Sequence, residues 1–333
     1  MAIAPKLVRD RRIEDIKARC SLATNLSSIA VERSTFPFDS SLLFRVAHFL
    51  VLCALPYRQT AERQIIRKAR LGDGTTLTVI FTAVDPDVAM PFGADRIPLH
   101  WAINRAISHE SPIVYWDEIG EYFDEMGMRK GGRAYEELAA RWERILSLDV
   151  FIKREGRDLP VIERQGYHMI EASRLPKSLR PGHEGLFASN PEFKDRCGFR
   201  FNSLVFDQIL KANIPVLRSL ITATRKRSQL QDYMLFLIWR SYGAETESLI
   251  PWDKLREQLW SEDTNPYRLK SRMEQAIDHL HHGTGWNELN AHAMTKGLLI
   301  GPPKNGVQFM PEGRVRRKLG ILPGSSNKAL PTR

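Results

Sequence analysis

The chain has 333 residues, of which 43% are hydrophobic and 26% are charged, and its 49 lysines and arginines exceed its 39 acids to give a net charge of +10. This length and composition are typical of a globular protein with about two domains, and the excess positive charge favours a polyanionic partner such as nucleic acid. Cys20, Cys53 and Cys197 are too widely spaced to indicate a disulfide framework or a zinc site.

The apolar segments are too short for a membrane protein. The longest apolar run, residues 46–55, includes His48 and is well below the ~20 residues that span a bilayer. Residues 6–19 are densely charged, unlike a secretory leader. We therefore expect a cytoplasmic protein with no membrane partner.

The first half of the chain has the element order of a winged helix. Residues 1–34 are polar and aperiodic, which predicts a partly disordered N-terminal arm. The predicted elements that follow are a buried helix at 42–55, a β-hairpin at 63–82, a helix at 97–108, a strand at 113–115, helices at 117–126 and 133–148, and β-segments at 149–153 and 166–171. Helix, strand, helix, helix and hairpin therefore predict a first winged-helix domain over residues 35–173.

The same order of elements recurs in the second half. Residues 174–198 are rich in proline and glycine and lack periodicity, which predicts a linker. The predicted elements after it are an apolar helix at 229–242, a strand at 249–250, helices at 251–260 and 266–282, and wing segments at 289–300 and 307–309. We therefore expect a second winged-helix domain at 199–319 and a disordered tail at 320–333. The fold class is α+β, with two tandem winged-helix domains that are mostly helical and carry small β-hairpin wings.

The helix at 266–282 is the better candidate for reading DNA bases. Asn265 is a suitable N-cap and Pro266 suits the first helical position. The apolar stripe consists of Leu269, Met273, Ala276, Ile277 and Leu280. The opposite face carries Arg268, Ser271, Arg272 and Gln275. Because arginine suits guanine and glutamine suits adenine in the major groove, we predict that these four side chains read bases. A solvated helix face is the alternative.

A second candidate reader is the helix at 133–148. Its outward residues Arg133, Arg141 and Arg144 are predicted to read bases, although Glu137 on the same face would repel phosphate. The remaining basic clusters are predicted to contact the DNA backbone. They comprise Arg129, Lys130, Lys153, Arg154, Arg157, Arg225, Lys226, Arg227, Arg314, Arg316, Arg317 and Lys318.

Motifs for catalysis are weak in this sequence. The acids between 117 and 125 face away from the apolar stripe, and acids also suit a helix N-terminus. His279-Leu280-His281 matches the His-hydrophobe-His pattern of rolling-circle nucleases, but residues two apart on a helix point in different directions. The glycine-rich loops that bind nucleotide phosphates are also missing from the sequence. We therefore predict no enzymatic activity, no catalytic residues, no metal and no cofactor.

Several short motifs of the first half occur in an informative order. Leu55-Pro56-Tyr57-Arg58 precedes a basic hairpin, the segment MPFGADRI follows at 90–97, and FDEMGM at 123–128 precedes Gly131-Gly132-Arg133. Over residues 45–150 this order resembles the "lPyG…pRl" and "Fl..LGl…GG.rg" stretches of RepA-type plasmid replication initiators. The chain departs from that pattern at Phe92, where the family favours tyrosine.

The resemblance implies a role in plasmid replication. A protein of that family would bind double-stranded repeats at the plasmid origin and help to open the duplex. It would also recruit a host initiator, helicase or primase, and form a homodimer that represses its own gene. A winged-helix transcriptional repressor is the alternative interpretation, and a replication endonuclease with a His-hydrophobe-His site is a less favoured one.

Overall fold

The structure of the chain is a computed structural model that describes residues 22, 26, 29, 43–71, 74–116, 119–156, 163–174, 197–259 and 265–304. Most of the predicted N-terminal arm, most of the predicted linker, the predicted strand at 307–309 and the predicted tail lie outside the described residues. The same is true of five predicted backbone contacts, namely Arg157, Arg314, Arg316, Arg317 and Lys318.

The first half follows the predicted order of elements. They are β1 (Leu43–Ala47), α1 (His48–Leu52), β2 (Gln64–Arg70), β3 (Thr76–Ala83), α2 (Arg96–Ser108), β4 (Ile113–Trp116), α3 (Gly120–Glu125), α4 (Gly132–Leu146), β5 (Leu148–Glu155), β6 (Glu163–His168) and β7 (Ile170–Arg174). The predicted hairpin at 63–82 is confirmed, because β2 and β3 pair antiparallel. The predicted helix at 42–55 was wrong over residues 43–47, which form β1 because they pair with a distant strand, β9.

The second half contains a strand–helix–strand segment that the sequence did not indicate. Its elements are β8 (Cys197–Phe201), α5 (Ser203–Lys211), β9 (Asn213–Leu217), α6 (Arg218–Thr224), α7 (Ser228–Gly243), β10 (Ser248–Pro251), α8 (Trp252–Leu259), α9 (Pro266–Asp278), β11 (Asn290–Ala293) and β12 (Gly297–Gly301). The mixture of helices and small antiparallel sheets confirms the α+β class.

The last three strands form one antiparallel sheet in the order β10-β12-β11. Pro251 of β10 pairs with Gly297 of β12, and the Met294 amide donates a 2.8 Å hydrogen bond to the Gly297 carbonyl at the hairpin turn. A Cβ added at Gly297 would lie 2.2 Å from the Ile250 carbonyl oxygen. The close approach of β10 therefore requires glycine at this position.

Gly297→Ala is expected to destabilise the protein by ~2–3 kcal/mol, because overpacking against a fixed backbone cannot relax easily. Urea denaturation followed by circular dichroism measures this loss. The control is Gly132→Ala, whose added Cβ would meet no neighbouring atom within 4 Å, and which should change stability by less than ~1 kcal/mol. Equal effects of the two substitutions would contradict the pairing of β10 with β12.

The first half pairs its strands differently from a simple winged helix. Strands β2, β3, β5 and β6 form one sheet in the order β2-β3-β5-β6, whereas β4 belongs to a second sheet in the order β4-β8-β7. Thus β8, whose first two residues lie within the predicted linker at 174–198, lies between β4 and β7. An aromatic cluster of Trp101, Trp116, Trp142 and Phe199 joins α2, β4, α4 and β8 beneath these strands. This cluster fixes α4 against the second sheet.

The two halves of the chain share contacts and one hydrophobic core. Strand β1 pairs with β9, so Leu43 lies opposite Leu217. The Arg96 guanidinium lies 3.2 Å from the Asp232 carboxylate in a buried ion pair, and the Tyr57 hydroxyl donates a 2.9 Å hydrogen bond to a carbonyl at the end of α8. The two halves therefore pack against each other, and the division into domains at 174–198 stays a prediction.

Candidate nucleic-acid interface

Helix α9 begins as the sequence predicts. The Asn265 side chain accepts a 2.9 Å hydrogen bond from the Tyr267 amide, and Pro266 occupies the first turn. The buried stripe comprises Leu269, Met273, Ala276 and Leu280, with Ile277 half-buried. The helix ends at Asp278 rather than at 282, because residues His279–Gly283 form a π-helical turn.

The outward face of α9 is polar and basic near its start. Arg268, Ser271 and Gln275 are exposed at spacings of three and four residues, and Tyr267 beside them is 76% exposed. Because residues at these spacings share one helix face, the three side chains can contact one surface. The prediction that they read bases stays a prediction, and the structure places all three where a partner can reach them.

Charge is distributed unevenly along α9. The cations Arg268, Lys270 and Arg272 occupy the first two turns, whereas the acids Glu274 and Asp278 follow in the last two. Lys270 and Glu274 lie 3.6 Å apart. This gradient favours approach of a polyanion to the N-terminal half of the helix, where winged helices and related motifs contact bases.

Arg272 connects α9 to the start of α7. It is half-buried, and its Nη1 donates a 2.6 Å hydrogen bond to Oε1 of the Gln229 side chain. Arg272 would therefore divide its N–H donors between Gln229 and a DNA base. Of the four predicted base-reading residues in this helix, Arg272 has the most restricted geometry.

A basic turn lies beside α9. The exposed Lys226 and the half-buried Arg225 and Arg227 occupy the connection between α6 and α7. The turn is held by the buried Gln231, whose Nε2 donates to the Ile221 carbonyl at 3.0 Å and to the Thr224 hydroxyl at 2.9 Å. A rigid cationic turn of this kind suits phosphate contacts, as predicted for all three residues.

Two pKa shifts locate this turn relative to its neighbours. Burial lowers the pKa of His279, at the end of α9, and Arg227 lowers it further, against the opposing effect of Asp278. Burial raises the pKa of Tyr122, in α3, and both Arg141 and Arg225 oppose that shift. The basic turn therefore lies within electrostatic reach of both α9 and the first half.

The hairpin of β11 and β12 contributes a cation that the sequence analysis missed. Its tip carries the exposed residues Thr295 and Lys296 and the 48% exposed Met294. The buried Trp252 indole donates hydrogen bonds to the Met294 and Thr295 carbonyls at 3.1 and 3.2 Å, which fixes the tip to the first residue of α8. Lys296 lies inside the predicted wing segment at 289–300, and a lysine in that segment was the available signal.

Helix α4 is a weaker candidate reader than α9. Arg133 is exposed, but its Nε lies 3.1 Å from the Glu137 carboxylate. Glu136, Glu137 and Glu143 are also exposed on this helix. Because acids outnumber cations on its accessible surface, α4 is poorly suited to approach phosphates.

Two arginines of α4 that were predicted to read bases have partners within the protein. Arg144 binds both carboxylate oxygens of Asp95, at 2.6 and 2.8 Å, and its guanidinium lies over the Phe92 ring. Arg141 lies 3.9 Å from the same carboxylate and 3.7 Å from Glu137. These contacts attach α4 to the turn before α2, and base reading by Arg141 and Arg144 stays a prediction.

The other predicted backbone contacts in the first half are partly engaged. Lys130 lies 2.7 Å from Asp124, and Lys153 lies 2.5 Å from Glu155. The Arg154 Nε donates to the Thr75 hydroxyl at 3.4 Å, and Arg129 is exposed. The first half therefore offers fewer available cations than its sequence indicates.

The acids and histidines considered for metal binding have other contacts. Glu121 and Glu125 lie 2.7 and 3.0 Å from Arg105, and the His281 Nε2 lies 3.0 Å from the Leu289 carbonyl oxygen. Within the described ranges, no group of three or more metal-ligating side chains comes together. Nor does that part of the chain contain a helix with the length and hydropathy of a membrane span.

Comparison with known proteins leaves the family unassigned. Two solved structures, both described as domains 2 and 3 of RctB, are similar to the chain over much of its length. One, of selenomethionine derivatives, has a TM-score of 0.45 at 11% identity and covers 74% of this chain and 93% of its own. The other has a TM-score of 0.40 at 10% identity, with coverage of 75% and 94%.

Likeness at this level carries no argument about function. No family model matches the chain, and no curated protein matches it. The resemblance to RepA-type initiators therefore stays a prediction, and the case for function depends on the site itself.

Proposed function

We propose that the chain is a plasmid replication initiator that reads double-stranded DNA with the outward face of α9. The proposal depends on the exposed set Arg268, Ser271 and Gln275, which lies along one face of a capped helix. That helix belongs to the succession α7, β10, α8, α9, β11 and β12, with sheet order β10-β12-β11. We interpret this succession as a winged helix, in which the third helix enters the major groove.

The spacing of the exposed side chains suits a few base pairs. At 1.5 Å per residue, Arg268 and Gln275 lie ~10 Å apart along the helix axis, which corresponds to about three base pairs. Arg268 is assigned to a guanine, Gln275 to an adenine and Ser271 to either base. The basic turn at 225–227 and Lys296 of the wing are assigned to the flanking phosphates.

In the proposed initiator role, the first half of the chain acts together with α9. The ordered motifs between residues 55 and 133 supply the resemblance to initiators, and they lie in a half that shares its core with α7 and α8. On this proposal the protein binds repeated sites at an origin, helps to open the duplex and recruits host replication proteins. A homodimer that represses its own gene is part of the same proposal.

Arg268→Ala is expected to weaken binding to the cognate duplex by ~1–3 kcal/mol and to relax preference at one base pair, because a bidentate base contact is lost. Binding to a scrambled duplex should change much less. Fluorescence anisotropy on both duplexes measures the difference.

Arg133→Ala is the matched control, since it removes an exposed arginine from α4. It should leave cognate affinity within about twofold. A larger loss for Arg133→Ala than for Arg268→Ala would make α4 the reader and contradict the proposal.

The initiator role is tested by replication itself. A plasmid that carries the gene and its flanking DNA, with no other origin, should be maintained by the wild-type chain and lost with Arg268→Ala. If the wild-type chain binds the flanking repeats and represses transcription but supports no replication, the protein is a repressor instead. Nicking of supercoiled DNA with Mg²⁺ or Mn²⁺ would indicate the endonuclease alternative.

A further inference from the structure

The four-stranded sheet exposes one of its faces. Residues Gln64, Ile66, Lys68 and Arg70 of the edge strand β2 are exposed, and they alternate with the buried Ile65, Arg67 and Ala69. The buried residues face the core, so the exposed set marks the outer face of the sheet. Ile66 is 52% exposed, which is high for a large aliphatic side chain in a strand.

Strand register aligns the residues of this outer face into rows across the sheet. Ile66 pairs with Ile80, and Ile80 pairs with the half-buried Phe151, so one row is apolar. The next row contains Lys68, Thr78 and Lys153 by the same pairing. An apolar row therefore lies directly beside a row with two lysines.

The apolar row ends on a glycine that accommodates the aromatic ring. Phe151 pairs with Gly166 of β6, and a Cβ at Gly166 would lie 3.2 Å from the Phe151 ring. The ring thus lies against the sheet over the glycine. A partly exposed aromatic ring on a sheet is a suitable surface for stacking a base.

The cations without an acidic neighbour lie on the β2 edge of this face, whereas Asp149 and Glu155 lie on β5 in the same register. Lys68 and Arg70 are exposed, and no ion-pair partner is found for either among the described residues. Lys153 is partly compensated by Glu155, at 2.5 Å. The β2 edge of the outer face therefore places Lys68 and Arg70 beside an apolar strip about two strand spacings, or ~10 Å, wide.

We propose that this outer face, defined by Ile66, Lys68, Arg70, Ile80 and Phe151, binds single-stranded nucleic acid. Unpaired bases would lie on Ile66, Ile80 and Phe151, and phosphates would contact Lys68 and Arg70. A duplex presents its phosphates outward and keeps its bases stacked inside, so its bases cannot contact the apolar row. This site shares no residue with α9 and goes beyond the reading of duplex DNA.

The test measures anisotropy of a labelled mixed-sequence single strand and of a duplex carrying the cognate site. The double variant Lys68→Glu/Arg70→Glu should lower single-strand affinity at least about tenfold, because two phosphate contacts become repulsive. Ile66→Ser should lower it a few-fold, and both variants should bind the duplex as the wild type does. The control Lys211→Glu, an exposed charge reversal on α5, should change neither affinity.

Three outcomes would overturn the proposal. Unchanged single-strand affinity in both variants would show that the strand binds elsewhere. An equal loss for single strand and duplex would indicate general electrostatics only. If Ile66→Ser halves the molecular mass measured by light scattering while single-strand affinity is unchanged, the face joins two copies of the chain. If Arg268→Ala loses duplex binding and keeps single-strand binding, the duplex and the single strand bind at separate sites, as proposed.

Discussion

Affinity for the cognate duplex is expected to fall ~500-fold when the salt concentration rises from 50 to 200 mM. The cations beside Arg268 in the proposed interface are Lys270, Arg225, Lys226, Arg227 and Lys296. If roughly five phosphates are neutralised, the slope of log affinity against log salt is about −4.5, since each contact releases close to one counterion. Titrations at several salt concentrations give this slope directly.

The slope also separates phosphate contacts from base contacts. Lys226→Ala should reduce its magnitude by ~1 and weaken cognate and scrambled duplexes alike. Gln275→Ala should leave the slope unchanged and weaken only the cognate duplex. A nearly flat salt response of the wild type would contradict an interface dominated by phosphates.

Asp232→Ala is expected to destabilise the protein by ~3–5 kcal/mol, the cost of leaving a buried cation without its partner. The Asp232 and Arg96 side chains are only 5% and 3% exposed. Arg96 also donates to the Leu55 and Gly93 carbonyls at 2.8 Å and lies over the Tyr57 ring. The network therefore joins α7 to the segments before α2, and its loss should loosen the two halves together.

Chemical denaturation of Asp232→Ala beside Asp253→Ala measures this effect. Asp253 is 61% exposed and lies 3.9 Å from Lys254, so its loss should cost less than ~1 kcal/mol. If the two variants lose similar stability, the buried ion pair does not join the halves.

The Asp232 carboxyl also makes the stability of the fold depend on pH. Burial raises the pKa of Asp232 from 3.8 to about 6, against the opposing effect of Arg96. Between these values the folded state binds more protons than the unfolded state, so the contribution of this group to stability falls as pH rises through that window. In the Asp232→Asn variant, the free energy of unfolding should lack this decrease between pH 3.8 and about 6. A pH profile identical to that of the wild type would contradict the raised pKa of Asp232.

Local features of the fold could be predicted from the sequence. Asn265-Pro266 before a periodic segment predicted the start of α9, and its apolar stripe was right at Leu269 and Met273. The sequence pattern over residues 63–82 predicted the β2–β3 hairpin. Each of these signals acts within a few residues, through capping, periodicity or turn geometry.

Features that depend on distant partners could not be predicted. The segment at 43–47 reads as an apolar helix, and only its pairing with β9 makes it a strand. Arg144 has the spacing of an outward residue on α4, but its guanidinium binds the carboxylate of Asp95, which lies 49 positions earlier. Likewise, the apolar row on the outer face exists only because register brings Ile66, Ile80 and Phe151 together.

The reader itself is tested most directly by dimethyl sulfate protection of guanine N7 in the major groove of DNA that flanks the gene. The wild-type chain should protect guanines in each repeat, because Arg268 is assigned to a guanine edge. One of these guanines should become reactive with Arg268→Ala and stay protected with Arg133→Ala. Identical protection by all three proteins, or none by the wild type at saturating binding, would contradict base reading by α9.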